Sequence, residues 1–198
     1  GGGTLTVSNA LRIEADAELT VTTTYDNDGS LTFVGAGGIL RLEAAITNDA
    51  SELGTSFTPA QGTVVYAQAA SETVYTRING AGGAVPYFNL TIDNTGAAVA
   101  SVEAATTLDV DGTFTIFDSD ADFTSTSGTM TVGGGFAVSG TFTHNSGTVT
   151  LDGTGTVSGS AAATLTFNVF NVDTSGTVTV VRPFTVSSTF AVNNGTLA

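Results

Sequence analysis

Large apolar residues recur along this chain in a fixed nine-residue phrase. Leu108 to Ile116 reads LDVDGTFTI, with apolar side chains at the first, third, seventh and ninth places and small or polar residues between. Leu5 to Ile13 (LTVSNALRI), Phe184 to Val192 (FTVSSTFAV) and Met130 to Val138 (MTVGGGFAV) follow the same rule. Phe136 to His144 (FAVSGTFTH), which overlaps the last of these, follows it too except that His144 takes the ninth place. Alternation at each end predicts two short strands, and the gap predicts a corner between them. A second phrase is Gly, then Thr or Ser, then an alternating run. It starts at Gly3, Gly29, Gly62, Gly112, Gly128, Gly140, Gly147 and Gly176, and a last copy from Gly195 stops at Ala198. Each reads as a turn glycine leading into a strand with Leu, Val, Phe or Met on one face and Thr on the other. Strand starts spaced by roughly 20 to 30 residues suit one coil of a β-solenoid.

A longer period overlays the short one. GTVVY (Gly62 to Tyr66) leads to YFNLTIDNTG (Tyr87 to Gly96) and then to LDVDGTFTI. GTVTL (Gly147 to Leu151) leads to FNVFNVDTSG (Phe167 to Gly176) and then to FTVSSTFAV. A domain-sized period would suit tandem Ig-like β-sandwiches, the alternative fold. Against it, the same strand phrases recur at coil spacing inside that period. The stretch Ile39 to Ile46 (ILRLEAAI) reads as a strand or a short helical turn. The polar run after it and the glycine-rich RINGAGGAVP predict loop insertions at 47–61 and 77–86 in one solenoid spanning 1–198.

The phrases GTVVY, FNLTIDNTG and LDVDGTFTI together resemble repeats of large bacterial surface and secreted proteins, the adhesins and filamentous exoproteins. The resemblance covers most of the chain from Gly62 and, more loosely, Gly3 to Val21. It implies an all-β, right-handed parallel β-helix and an extracellular or cell-surface location. Inward side chains would stack on their counterparts one coil away, about 4.8 Å distant. No coil would be stable without its neighbours.

Composition narrows the partners. The chain carries 18 acidic and 4 basic residues for a net charge of −14, and every base is an arginine. Nucleic acid and anionic membrane surfaces need clustered cations, so neither is expected as a partner. The absence of lysine excludes Lys–Asn isopeptide crosslinks, and the absence of cysteine excludes disulfides, thiolate metal sites and a cysteine nucleophile. No signal peptide or apolar run of membrane-spanning length is present, so membrane insertion is not expected. An opening on Gly1-Gly2-Gly3 suggests a segment excised from something longer.

Two acidic triplets are the candidate metal ligands. Glu14, Asp16 and Glu18 follow LTVSNALRI, and Asp118, Asp120 and Asp122 follow LDVDGTFTI. If the two phrases are equivalent, so are the triplets, and alternation in an extended segment would align three hard oxygen donors for Ca²⁺. The competing reading is a solvated acidic face, and the third copy, with Asn193-Asn194-Gly195 in that place, supports it. Asp26-Asn27-Asp28-Gly29 resembles the start of an EF-hand loop but has Gly37 where the closing Glu belongs, so a plain turn is expected. His144, the one histidine, takes a nominally inward place near a corner, and no triad assembles around it from the sequence.

The expected function is therefore that of a non-catalytic extracellular scaffold, part of a surface fibre, filament or adhesin stalk. Each end carries a strand phrase without a polar cap. The subunits would then associate head to tail, or the coils would continue in a longer chain. A surface glycan is the other partner considered, although tryptophan is absent and most phenylalanines fall at inward places. Two alternatives stand beside the scaffold. One is a Ca²⁺-stabilised surface-layer domain. The other is a carbohydrate-active enzyme resembling the pectate-lyase-like β-helices, for which a groove lined by an arginine and two or more carboxylates would speak. Arg12 is expected to point outward, and Arg182 to stand at a corner before Pro183.

Overall fold

The computed structural model describes residues 3–46, 53–54, 56–78, 83–84, 86–102, 106–160 and 164–198. The chain forms a parallel β-solenoid of about eight turns, without a helix among these residues. Its first coil is β1 (Thr4–Val7), β2 (Ala10–Glu14) and β3 (Glu18–Val21), and its second is β4 (Thr24–Asn27), β5 (Ser30–Val34) and β6 (Ala36–Leu42). The third passes an isolated bridge at Ile46 to β7 (Ser56–Thr58) and β8 (Gln61–Tyr66). The fourth holds β9 (Glu72–Val74), an excursion through β10 (Arg77–Ile78) and β11 (Gly83–Ala84), then β12 (Pro86–Tyr87) and β13 (Asn89–Ile92). Next come β14 (Val99–Val102), β15 (Leu108–Val110) and β16 (Phe114–Ile116), followed by β17 (Asp122–Thr124), β18 (Thr129–Val132) and β19 (Phe136–Val138). The seventh coil is β20 (Thr141–Thr143), β21 (Thr148–Leu151) and β22 (Gly155–Ser158). In the last two coils the corners flatten, so that β23 (Leu165–Val180) and β24 (Phe184–Leu197) each run as one long strand around the coil.

Three walls result, named here by their order within a coil. Wall 1 contains β1 and β4, then β9, β14, β17 and β20. Wall 2 contains β2, β5 and β7, then β12, β15, β18 and β21. Wall 3 is unbroken from β3 through β6, β8, β13, β16 and β19 to β22. Because the pairing is parallel and in register, equal positions of successive coils lie over one another. On wall 3, Leu19, Leu40, Val64, Leu90, Phe114, Phe136 and Val157 form one inward row. From Leu40 upward every member of that row is buried. On wall 2, Leu108, Met130, Val149 and Phe170 form another. Phenylalanines fill the interior between walls, with ring centroids 5.2 Å apart for Phe114–Phe136 and 5.4 Å for Phe136–Phe167. Each fully buried side chain of this size contributes about 1.5–3 kcal/mol.

The corners explain the Gly-Thr phrase. At the corner between walls 2 and 3, Gly134 N donates to Gly112 O at 2.8 Å, so the backbone of one coil rests directly on that of the coil below. A Cβ on Gly155 would lie 2.0 Å from the Gly134 oxygen, and one on Gly134 would lie 2.7 Å from the Gly112 oxygen. Glycine is required there by close approach of backbones.

Register also corrects three expectations. The nine-residue phrase is a strand–corner–strand unit used at different corners: LTVSNALRI joins walls 1 and 2, LDVDGTFTI walls 2 and 3, and FAVSGTFTH walls 3 and 1. The longer period is likewise offset, because GTVVY is β8 on wall 3 whereas GTVTL is β21 on wall 2. Parallel pairing throughout the walls excludes tandem antiparallel sandwiches. Within the expected 47–61 insertion, Ser56–Thr58 is a wall strand, because Phe57 faces inward over Leu31, while 47–52 and 55 lie outside the described residues. Within 77–86, β10 and β11 form the one antiparallel pair among the described residues, and Pro86 already belongs to the wall 2 strand β12. The remaining residues of that stretch, 79–82 and 85, lie outside the described residues.

Val110 is fully buried on wall 2, stacked between Tyr87 and Val132, whereas Thr115 stands in the outward row of wall 3 between Thr91 and Ala137. Val110→Asp should destabilise the chain by about 4 kcal/mol or more, and Thr115→Asp by less than about 1 kcal/mol. Urea unfolding of the two variants measures this, and equal losses would show the side-chain register to be wrong.

Candidate functional site

Neither acidic triplet becomes a cation cage. Glu14, Asp16 and Glu18 stand at the corner between walls 2 and 3 of the first coil. Asp16 there adopts φ of 57°, Ala17 N bonds Glu14 O, and the strand is interrupted. Arg12 lies outward, as expected, and binds Glu14 at 3.1 Å. Glu18 accepts from the Thr20 hydroxyl. Asp118, Asp120 and Asp122 stand at the corner between walls 3 and 1, where Ala121 N bonds Asp118 O in a turn. The extended alternation that would align their carboxylates is therefore absent, and the triplets occupy different corners several coils apart. Among the described residues no group of three or more His, Asp or Glu side chains could hold a metal ion.

The remaining expected residues are structural in their surroundings. His144 is half-buried at the turn after β20, and its Nδ1 accepts from Ser146 N at 2.9 Å. Asn27 is buried in the Asp26–Gly29 turn, where its Oδ1 accepts from Gly29 N and its Nδ2 donates to Leu53 O at 2.8 Å. Arg182 is buried between β23 and β24 with its guanidinium donating to Val138 O, and burial lowers its pKa.

Two groupings were not anticipated. The first is Arg41 on β6, which bonds Glu43 at 2.8 Å and Asp93 at 2.7 Å. Burial opposes the arginine's charge, and the two carboxylates outweigh it, so its pKa is raised. This is an arginine with two carboxylates, but the three are closed on one another along wall 3. Only the fold brings Asp93 within reach of Arg41. A looser set of acids, Asp109, Asp111, Asp152 and Asp173, stands by the corner of walls 2 and 3. Burial raises the Asp152 carboxyl, its own backbone pulls it down, and the charges of the other three add to the rise.

The second grouping surrounds Glu72. Among the described residues, wall 1 has no hydrogen-bonded strand between Ile46 and β9, and wall 2 has none between β7 and β12. Among the described residues wall 3 alone carries backbone pairing across this level, through β8 and β13. A cavity of about 350 Å³ opens at the wall 1 break, with Ala45 and Ile46 on one side and Ser71 to Thr73 and Tyr75 on the other. Gln68, Val99 and Ser101 complete its described lining. Glu72 pairs in register with Ala100, a fully buried residue in the inward row that continues to Phe123 and Phe142. Its carboxyl therefore occupies a core place at the foot of an apolar row. Both oxygens are cut off from solvent and make no hydrogen bond of good geometry. Burial pushes the carboxyl up to about 8, with the backbone and side chain of Gln68 pulling weakly the other way. Beside it, Tyr66 and Tyr87 join hydroxyls at 3.0 Å, and Tyr87 donates to Tyr75 O at 2.6 Å. Burial raises the Tyr66 hydroxyl strongly, and the Glu72 charge adds to that. The sequence did carry a signal for Glu72: Glu72-Thr73-Val74 alternates, and an inward Val74 puts Glu72 on the inward face too.

No family model matches the chain, and no curated protein or solved structure matches it either.

Two outcomes are expected. Because the acidic triplets do not converge, EDTA should leave the thermal midpoint unchanged, and a fall of several degrees would require a cation site. Glu72 is neutral in the fold up to about pH 8 but ionises near 4.5 when exposed. The folded state thus binds more protons than the unfolded state across that window, and stability falls as pH rises through it. Glu72→Gln should remove a loss of a few kcal/mol between about pH 5 and 8.5. Urea midpoints of both proteins at the two pH values test this, and parallel curves would show that Glu72 does not titrate as stated.

Proposed function

We propose that this protein is a non-catalytic structural and interaction module, a β-solenoid scaffold in an extracellular surface fibre, filament or adhesin stalk. The observation that carries this reading is the outward surface of the walls. Asp109, Thr131, Thr150, Asn171 and Ala191 lie in one register row on wall 2. Thr91, Thr115, Ala137 and Ser158 lie in another on wall 3. Short side chains stacked in this way give long, smooth, polar walls around a continuous apolar interior. That combination makes a stiff rod, the property a stalk needs. The rows contain no aromatic platform on which a glycan could stack.

Assembly along the axis follows from the same geometry. The outer edge of β24 presents Phe190 at 48% and Val192 at 43% exposure, in rows whose lower members Phe170 and Val172 are fully buried. A further parallel strand on that edge would bury them as β24 buries β23. A second copy of the chain can supply it head to tail, as can continuation of the same polypeptide. The coils described here span about 40 Å at about 4.8 Å per coil. Electron microscopy of the purified chain should show filaments much longer than one such rod, and dispersed particles of rod length would overturn end-to-end assembly by this chain. Release of sugar products from polysaccharides would overturn the non-catalytic reading.

A further inference from the structure

The two free edges of the solenoid match each other residue by residue around one corner. Resting on the end-to-end assembly above, we propose that the outer edge of β24 docks the first coil of a second copy in a single register. Phe184, Val186, Phe190 and Val192 then lie beneath Leu5, Val7, Leu11 and Ile13 of that copy.

The first support is corner length. Walls 1 and 2 are joined by two residues in the first coil, Ser8 and Asn9, and by two in the second, Asp28 and Gly29. Equal corners keep both walls in phase, so Val7 pairs with Asn27 before the corner and Ala10 with Ser30 after it. The last coil also has two residues there, Ser187 and Ser188, between Val186 on wall 1 and Thr189 on wall 2. Neighbouring coils differ. Residues 125–128 and 144–147 fill this corner in the sixth and seventh, and Asn168 alone separates Phe167 from Val169 in β23. The last coil thus has the corner of the first coil, and β24 needs a register shift to sit on β23.

Apolar cover is the second support. Phe190 and Val192 are exposed on one edge, and Leu5, Val7 and Leu11 are half-buried on the other. Phe190 stacks on Phe170 at 5.9 Å between centroids, so its outer side is open to a further inward residue, here Leu11. Head-to-tail stacking keeps the strands parallel, as in the rest of the walls.

Charge is the third. A net charge of −14 opposes self-association, yet residues 174–198 contain no acid and one base, Arg182. In the proposed register Glu14 stands over Asn193, Arg12 over Ala191 and Thr6 over Thr185. No carboxylate faces another across the β24 edge.

The chain has no cysteine, so disulfide trapping reads the register directly. Opposed residues on parallel strands about 4.8 Å apart fall within the roughly 4.4–6.8 Å that a disulfide spans between Cα atoms. A slip of two residues puts them about 8 Å apart, out of reach. Positions 6 and 185 lie at opposite ends of one molecule, so contact between copies alone can join them. The folded double variant Thr6→Cys/Thr185→Cys, oxidised and run on a non-reducing denaturing gel, should give a ladder of dimers and higher multiples. Thr4→Cys/Thr185→Cys, on the same face but slipped by two residues, should give at least about tenfold less. Adding Phe190→Asp to the first pair puts a charge into the contact and should weaken the ladder at least about tenfold. Phe190 lies at the exposed edge, and an unchanged urea midpoint shows that this variant folds. Equal ladders from the two cysteine pairs, no ladder from the first, or a ladder indifferent to Phe190→Asp in the folded protein would each overturn the proposal. A different occupant of the edge, whether another protein or further polypeptide, gives the second of these results. Filaments seen by microscopy without the Thr6–Thr185 ladder would sink this register and leave end-to-end assembly standing.

Discussion

Everything in this molecule depends on the short distance between stacked coils. Backbone hydrogen bonding fixes that distance near 4.8 Å, and nothing at a given register position can be larger than its upstairs and downstairs neighbours allow. Inward places respond by repeating similar apolar residues, as in Leu40, Val64, Leu90, Phe114 and Phe136. Corners respond by losing the side chain altogether, as where Gly155 rests over Gly134 and Gly134 over Gly112. Buried asparagines serve where a corner must turn without leaving groups unpaired. Asn94 is fully buried, and it both accepts from Asp122 N and donates to Ala98 O and Asp122 O. The chain thus repeats in three dimensions even where its sequence repeat is loose.

The same constraint explains why the level between the third and fourth coils differs. There the described walls 1 and 2 lack backbone pairing, and wall 3 carries it alone. Side chains cross the gap instead. Phe57 meets Tyr87 with ring centroids 6.0 Å apart, and Tyr66 and Tyr87 share a hydroxyl hydrogen bond. On the unbroken wall 3, Arg41 reaches from the second coil to Asp93 in the fourth. Val65 lies between Arg41 and Thr91 in the outward row and is nevertheless buried. An ion pair at this half-buried place gains from reduced solvent screening, which surface pairs such as Arg12–Glu14 do not.

How much of this could be read from the sequence follows from what each signal encodes. Period-two alternation and corner glycines report local geometry, so Leu108, Val110, Phe114 and Ile116 were placed inward, and all four are fully buried. The all-β solenoid followed from their spacing. What local geometry cannot report is which corner a phrase occupies. Five copies of one phrase looked equivalent, and the equivalence of Glu14, Asp16 and Glu18 with Asp118, Asp120 and Asp122 rested on that. The structure assigns them to different corners because any three-walled coil reuses the same strand–corner–strand unit. Phe190 shows a related limit: its alternation is correct, yet it is 48% exposed, since burial in a solenoid is supplied by the next coil. Long-range pairs such as Arg41 with Asp93 leave no mark at the spacing of a repeat.

Glu72 is the point at which local pattern and physical cost conflict, and the conflict has a definite structural setting. Leucine or valine at this place would continue the row through Ala100, Phe123 and Phe142 at no electrostatic cost. A carboxyl there must instead stay neutral or sit charged in an apolar surrounding, and both are less favourable than a packed methyl group. The cost falls at the level where the described wall 1 strands lack pairing, beside the cavity that Glu72 helps to line. Small Ala100 above it leaves the space that a larger inward residue would fill. A row that ends in a small residue and then a buried carboxyl is therefore one coherent departure from the stacking rule, confined to a single level of the solenoid.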